Sequence, residues 1–154
     1  MVKLTFLQYI QEAFDFTEKE TASYKGGKVK EIEHTAKLPS GHELVIKHNL
    51  TRDKSNKTYL ETNFGFRDKD GEVEMDERKV SPPVPPEHAK AVLTTVANSV
   101  EHMIKKHGVN QIEFYGNTER KDKLYGQYSQ RLVRRLGAKH EKDGYTHIIT
   151  IPQQ

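Results

Sequence analysis

Residues 80–90 read VSPPVPPEHAK, and this proline-rich stretch divides the chain into two halves with different hydrophobic patterns. Before it, apolar residues alternate with polar ones, as in β-strands with one buried face. After it, apolar residues recur every three or four positions, as on the buried side of an α-helix. The sequence therefore predicts an α+β domain, with a mixed α/β domain as the alternative.

The first half contains four predicted strands, over residues 28–38, 42–51, 58–67 and 72–80. Short turns, among them Asp68-Lys69-Asp70-Gly71, favour antiparallel pairing in a meander. The side chains predicted to share the core face are Ile32, His34, Ala36, Leu38, Leu44, Ile46, His48, Leu50, Leu60, Thr62, Phe64 and Phe66.

The second half is predicted as helix 87–107, strand 110–116, helix 119–136 and a hairpin of 138–142 with 145–151. Gly108 and Gly137 are placed to end the two helices, because glycine adopts the left-handed conformation of a helix C-terminus. Asp143-Gly144 is a typical hairpin turn.

The N-terminal residues are predicted to form an element separate from this domain. Residues 1–16 have the pattern of an amphipathic docking helix, with Leu4, Leu7, Ile10 and Phe14 on its apolar face. Residues 17–27 are polar and end in two glycines, which indicates a linker. The domain itself is predicted to span residues 28–154.

Composition excludes several classes of protein. A chain of 154 residues is long enough for one domain, and the absence of cysteine excludes disulfides and thiolate chemistry. No apolar run approaches the ~20 residues needed to cross a bilayer, and the N-terminus lacks the features of a secretory signal. We therefore expect no membrane partner and a location in the cytoplasm of a host cell. The net charge of +3 is too small to indicate nucleic acid by itself.

The end of the second predicted helix carries a family resemblance. Residues 131–138 read RLVRRLGA and resemble the LYEKLGF segment of GNAT N-acyltransferases, and Asn117 resembles that family's asparagine after its fifth strand. The predicted element order over residues 28–151 is similar to the order of that fold. The resemblance implies acetyl-CoA as cofactor, bound near Val84, His88, Ala89 and Asn117. It also implies that Tyr125, Tyr128 and Glu74 are the candidate catalytic residues.

The proline segment departs from the family pattern at the position of the cofactor loop. In these enzymes a Q/R-x-x-G-x-G/A loop opens the long helix, and its N–H groups bind the pyrophosphate. Prolines lack this donor, residues 82–89 contain no glycine, and Glu87 adds a negative charge. The family's tyrosine falls on Val133. We therefore expect a catalytically degenerate protein with no cofactor and no catalytic residues, and active N-acetyltransferase is the alternative.

A second resemblance concerns residues 4–13, LTFLQYIQEA. They are similar to the leaders of internal head proteins of large tailed phages, which are cut after an apolar-x-Glu triplet such as Ile10-Gln11-Glu12. This resemblance implies a structural, virion-associated protein. The alternative is that the segment remains as a helix that docks on the domain, on a protein partner or on a neighbouring subunit.

Basic residues and histidines form two further patterns in the sequence. The basic face of helix 119–136, with Arg131, Arg134 and Arg135, suggests a site for nucleic acid or another polyanion, although solvated helix faces often have this composition.

The eight histidines do not form a helical i, i+4 pair. His34, His42 and His48 lie where they would converge on the meander, but no carboxylate in the strand pattern accompanies them. We predict no metal site, and we expect His34, His48 and His147 to be hydrogen-bonded core histidines.

Overall fold

Eight strands and two helices make up the described part of the chain, residues 13–152 of a computed structural model. The strands are β1 Thr17–Tyr24, β2 Val29–Lys37, β3 Glu43–Arg52, β4 Thr58–Arg67, β5 Val73–Glu74, β6 Gln111–Tyr115, β7 Lys139–Asp143 and β8 Thr146–Thr150. The helices are α1 Ala89–His107 and α2 Glu119–Leu136. They form an α+β fold with one mixed, mostly antiparallel sheet in the order β1-β2-β3-β4-β6-β8-β7, and β5 pairs with β4.

The alternating residues of β2, β3 and β4 form the core face, as the sequence predicts. All twelve predicted core-face side chains in this region are buried, including His34 and His48. In register, His48 of β3 lies beside Ile32 of β2 and Thr62 of β4. The same face continues through Phe114 of β6 to His147 of β8, which is also buried.

Both helices pack on this face. Gly108 ends α1 with a φ of 64°, and Gly137 ends α2 with the same φ, as predicted. Tyr125 of α2 stacks on Phe114 with ring centroids 5.0 Å apart. The hydroxyl of Tyr128 donates to the carbonyl oxygen of Ala97 in α1, so α2 also contacts α1.

The pairing of β4 with β6 is parallel and short. It covers residues 59–62 of β4 and residues 111–114 of β6, whereas β4 continues to Arg67. The last residues of β4 instead pair with β5. The sheet is therefore split between β4 and β6, and β5 fills part of the split.

The segment predicted as a linker is largely a strand. Residues 17–24 form β1, which pairs with β2 along its length, and a 3-10 turn follows at Lys25–Gly27. Seven of the eight β1 residues are exposed, so the strand lacks the apolar alternation that would have identified it. Pairing along one edge of the sheet satisfies its backbone without a buried face.

Two other predictions differ in extent from the structure. The predicted strand 72–80 is reduced to Val73–Glu74, and Glu77–Lys79 form a 3-10 helix whose first N–H groups are capped by Asp76. The predicted helix over residues 1–16 falls mostly outside the described residues, and residues 13–16 are not helical.

Neither α1 nor α2, the two helices described within residues 13–152, is long and apolar enough to cross a membrane.

Candidate functional site

The proline segment forms one wall of a cavity of about 230 Å³. The cavity lies where the end of β4 meets the first turns of both helices. Its walls are mainly apolar and include Phe64, Phe66, Val84, Ala89, Leu93 and Leu124. Polar groups are few, and those that line it are Glu77, Arg120 and Lys121. Concave, mostly apolar cavities with a few polar groups are typical of binding sites.

Lys121 lines this cavity and is almost fully buried, with 1% of its surface exposed. Its Nζ donates to the carbonyl oxygen of Phe64 in β4 and to that of Met75, at 2.6 Å, just after β5. The ammonium group also lies 4.4 Å from the ring centroid of Phe64. Burial lowers the pKa of Lys121 to about 8, against the opposing effect of Glu77, Asp76 and Glu74. Lys121 of α2 therefore joins the end of β4 to the residue that follows β5.

The residues after β5 are also fastened to the loop before α2. Asn117 donates from Nδ2 to the carbonyl oxygen of Met75, and the Thr118 hydroxyl donates to Glu77 Oε1 at 2.8 Å. Glu77 Oε2 and Asn117 Oδ1 are buried and have no hydrogen-bond partner among residues 13–152. Each is an acceptor that a donor group entering this region would satisfy.

The backbone N–H groups at the start of α1 are hydrogen-bonded within the chain. The N–H of His88 bonds to the carbonyl oxygen of Pro85, and the N–H of Ala89 bonds to that of Pro86. The ring of His88 packs edge-on against Phe14. Of the cofactor candidates at this helix, Val84 and Ala89 line the cavity, and the N–H groups of His88 and Ala89 are already hydrogen-bonded within the chain.

The three candidate catalytic residues are not brought together around a common point. Tyr125 is buried, and its hydroxyl donates to Asn63 Oδ1 at 3.0 Å. Tyr128 bonds to α1, and Glu74 is half-buried on β5. Burial raises the pKa of both tyrosines. Since both hydroxyls are hydrogen-bonded within the core and hold their protons strongly, neither resembles an accessible general acid.

The docking residues are only partly described. Leu4, Leu7 and Ile10 lie outside the described residues. Phe14 is half-buried against the core of its own chain, and its N–H donates to Thr95 Oγ1 at 2.8 Å. Phe14 therefore holds the residues just before β1 against α1.

The three arginines proposed for polyanion binding lie in the last two turns of α2, and all are exposed. Arg135 forms an ion pair with Glu101 of α1. No ion-pair partner of Arg131 or Arg134 exists among residues 13–152.

Sequence reasoning did not identify Lys121, Glu77 or Asn63 as members of a site. A signal for Lys121 was present, because residues 121, 125, 129 and 132 fall on one helical face and are all buried. A lysine at the first position of an apolar stripe indicates a buried cation. No comparable signal marks Glu77, because its position depends on how the chain folds after β5.

Comparison with models of known protein families gives no match, and a search of curated proteins also gives no match.

Proposed function

We propose that this chain is a GNAT-like domain without acyl-CoA chemistry that acts as a binding component of a larger assembly. The observation that carries the proposal is the Lys121 contact, which joins the end of β4 to the residue after β5 at the split between β4 and β6. In the family that the sequence resembles, the cofactor lies where the sheet splays. Here β5 pairs with the end of β4, and the buried ammonium group of Lys121 bonds to the carbonyl oxygen of the next residue, Met75.

The backbone N–H groups at the N-terminus of α1 support the same proposal. A diphosphate needs several unsatisfied N–H groups, and each charge-assisted bond contributes about 1.5–3 kcal/mol. The prolines at 82, 83, 85 and 86 have no N–H, and those of His88 and Ala89 are used internally. Losing several such bonds weakens binding by orders of magnitude.

The size of the cavity favours a side chain as its occupant. Sites for small molecules commonly measure about 300–1,000 Å³, whereas this cavity measures about 230 Å³. Its apolar walls and the unpaired Glu77 Oε2 suit an apolar group that carries an N–H or O–H donor. The proposed occupant is therefore a side chain of a protein partner, inserted beside the proline segment.

The proposal also places the protein in a tailed-phage particle, on the resemblance of residues 4–13 to head-targeting leaders. Mass spectrometry of purified particles from the source phage tests this point. Peptides from residues 28–154 are expected in the particle, and their absence from particles but presence in the infected-cell lysate would refute it.

Acetyl-CoA is expected to give no saturable heat when it is titrated into the full-length protein in a calorimeter. An active acetyl-CoA-dependent transferase, titrated under the same conditions, is the positive control. The matched variant is Pro85→Ala combined with Pro86→Ala, which adds two N–H groups without removing the Lys121 contact. We expect this variant also to fail to bind. Micromolar affinity of the wild type, with measurable acetyl transfer, would show that the protein is an enzyme.

Polyanion binding is a second candidate function, favoured by the exposed guanidinium groups of Arg131 and Arg134. If it is correct, retention on a DNA or heparin column falls with rising salt. The variant Arg131→Glu/Arg134→Glu is then expected to elute at lower salt than the wild type. Lys54→Glu together with Lys69→Glu is a charge-matched control at two exposed positions away from α2. Unchanged retention of the arginine variant excludes this function.

A further inference from the structure

Three potential metal ligands converge near the edge of the sheet that β1 forms. They are Glu18 of β1, His34 of β2 and His102 of α1, and their nearest ligand atoms all lie within 4.8 Å of one another. Glu18 Oε1 is 2.8 Å from His34 Nε2 and 3.4 Å from His102 Nε2. Three secondary-structure elements thus direct two imidazoles and one carboxylate to a common point.

We propose that Glu18, His34 and His102 bind a divalent transition-metal ion, and we take Zn²⁺ as the ion to test. Zinc binds imidazole nitrogen and carboxylate oxygen at about 2.0–2.2 Å, so tetrahedral ligand atoms stand about 3.3 Å apart. The two separations from Glu18 Oε1, 2.8 and 3.4 Å, lie within about 0.5 Å of that value, and all three ligand atoms lie within 4.8 Å of one another. Two imidazoles with one carboxylate also suit other first-row ions more than Mg²⁺ or Ca²⁺, which prefer oxygen ligands.

The three ligands differ in how firmly they are held. His34 is fully buried, and Phe16 stacks on its ring at a centroid distance of 4.5 Å. The side chains of Glu18 and His102 are 28% and 44% exposed, respectively. One fixed ligand and two adjustable ones allow an ion to draw the set together at small cost. The fourth position would face solvent and would be filled by water, as in zinc sites with three protein ligands.

A series of buried hydrogen bonds begins at the other ring nitrogen of His34. His34 Nδ1 is 2.5 Å from Ser99 Oγ, Ser99 Oγ is 2.7 Å from His48 Nε2, and His48 Nδ1 is 2.7 Å from Thr62 Oγ1. Ligand histidines almost always use their second nitrogen in this way, which fixes ring orientation and tautomer. The strand pattern alone revealed no carboxylate beside the histidines. The structure places the carboxylate of Glu18 at one ring nitrogen of His34 and the hydroxyl of Ser99 at the other.

Donor counting shows that this series is compatible with two states. A neutral imidazole has one N–H donor and one acceptor nitrogen, and the two can exchange roles. Without an ion, Nε2–H donates to Glu18 and Nδ1 accepts from the Ser99 hydroxyl. With an ion, the proton lies on Nδ1 and donates to Ser99, whose hydroxyl then donates to His48 Nε2. His34, Ser99 and His48 each keep the same number of protons in the two states. The network therefore accepts a metal without leaving a donor unpaired.

Lys106 opposes metal binding. Its Nζ lies 2.6 Å from Glu18 Oε2, the oxygen that faces away from the histidines. The ammonium group of Lys106 therefore occupies one oxygen of the carboxylate and repels a second cation.

The test is a calorimetric titration of Zn²⁺ into the untagged full-length protein. We expect one saturable site. Glu18→Gln and His102→Ala should each weaken the affinity about tenfold or more, and Lys106→Gln should strengthen it. All three positions are accessible to solvent, so the variants are expected to fold, and circular dichroism verifies this. The buried ligand His34 is left unchanged.

His140→Ala is the matched control, because His140 also lies 3.0 Å from another histidine, His147, but outside the proposed site. It should leave zinc affinity unchanged, and Mg²⁺ should give no saturable binding to the wild type. The proposal is overturned if the wild type shows no saturable zinc binding. It is equally overturned if Glu18→Gln and His102→Ala bind zinc as tightly as the His140 variant.

Discussion

Replacing Lys121 by methionine is expected to lower the free energy of unfolding by about 2–4 kcal/mol. Methionine fills nearly the same volume, so the change removes the ammonium group and leaves packing largely intact. The carbonyl oxygen of Phe64 then loses its buried donor, that of Met75 keeps only Asn117, and β5 stays on β4 through its two-residue pairing alone. Chemical denaturation measures the effect. Lys123→Met is the matched control two residues along α2, where the side chain is exposed, and it should change stability by less than about 0.5 kcal/mol.

The effect of Lys121→Met should also depend on pH. Burial lowers the pKa of Lys121 to about 8 in the folded chain, from an ordinary value of 10.5. Between these values the unfolded state binds more protons at this position than the folded state, so the wild type gains stability as pH rises. The methionine variant lacks that gain. The difference between the two proteins should therefore be larger at pH 10 than at pH 7. A difference that is the same at both pH values would show that Lys121 has an ordinary, solvated ammonium group.

Replacing Gly65 by alanine is expected to displace β5 from β4. A Cβ atom at Gly65 would lie 2.4 Å from the carbonyl oxygen of Glu74 and 2.8 Å from Met75 Sδ. The first of these contacts is with backbone, so the strands must separate, and overpacking of this kind costs about 1–3 kcal/mol. Arg78 and Lys79 are both exposed and follow β5 in the chain. Trypsin should then cleave faster after these two residues.

Gly126→Ala is the matched control for this substitution. Its Cβ would meet only Cε1 of His147, at an ordinary 3.5 Å. Because Gly126 lies within α2, alanine should stabilise the protein by about 0.5–1 kcal/mol. Gly65→Ala and Lys121→Met disturb the same contact between β4 and residues 73–79. Their combined cost should therefore be smaller than the sum of the two single costs. Full additivity, or unchanged cleavage in the Gly65 variant, would contradict the proposed role of Lys121.

Periodicity predicted the elements that have a buried face. The alternation in β2, β3 and β4 and the stripe in α2 determine both the type of element and its inward side chains, because burial requires apolar residues at fixed intervals. Helix α2 has the bounds predicted for it, and β4 does as well. The core position of His34, His48 and His147 followed from the same alternation and is confirmed.

Two predictions for the segments on either side of the meander were wrong. Strand β1 has mostly exposed side chains, and it exists because its backbone completes hydrogen bonds of β2. The predicted strand 72–80 fails for the opposite reason. After Glu74 the backbone leaves the sheet, and the carbonyl of Met75 bonds to Lys121 and Asn117 instead of a neighbouring strand. Pairing with β2 decides the first case, and bonds from Met75 to residues more than forty positions away decide the second. No local apolar pattern encodes either contact.

The proposed sites show the same limit. The prolines and their missing donors are visible in the sequence, and they led to the expectation that acyl-CoA chemistry is absent. The histidines were visible too, but Glu18 belongs to the segment interpreted as a linker. Its carboxylate comes within 2.8 Å of His34 only through the pairing of β1 with β2.

The composition of the two outer strands has a consequence for how the protein behaves at high concentration. β1 and β7 are the free edges of the sheet, and their sequences, TEKETASY and KHEKD, are dominated by charged and polar residues. β1 also has an irregular register between Glu20 and Ala22. Charged side chains and bulges on an edge strand discourage a second molecule from adding to the sheet. The fold thus carries its own protection against fibril formation at both ends of the sheet.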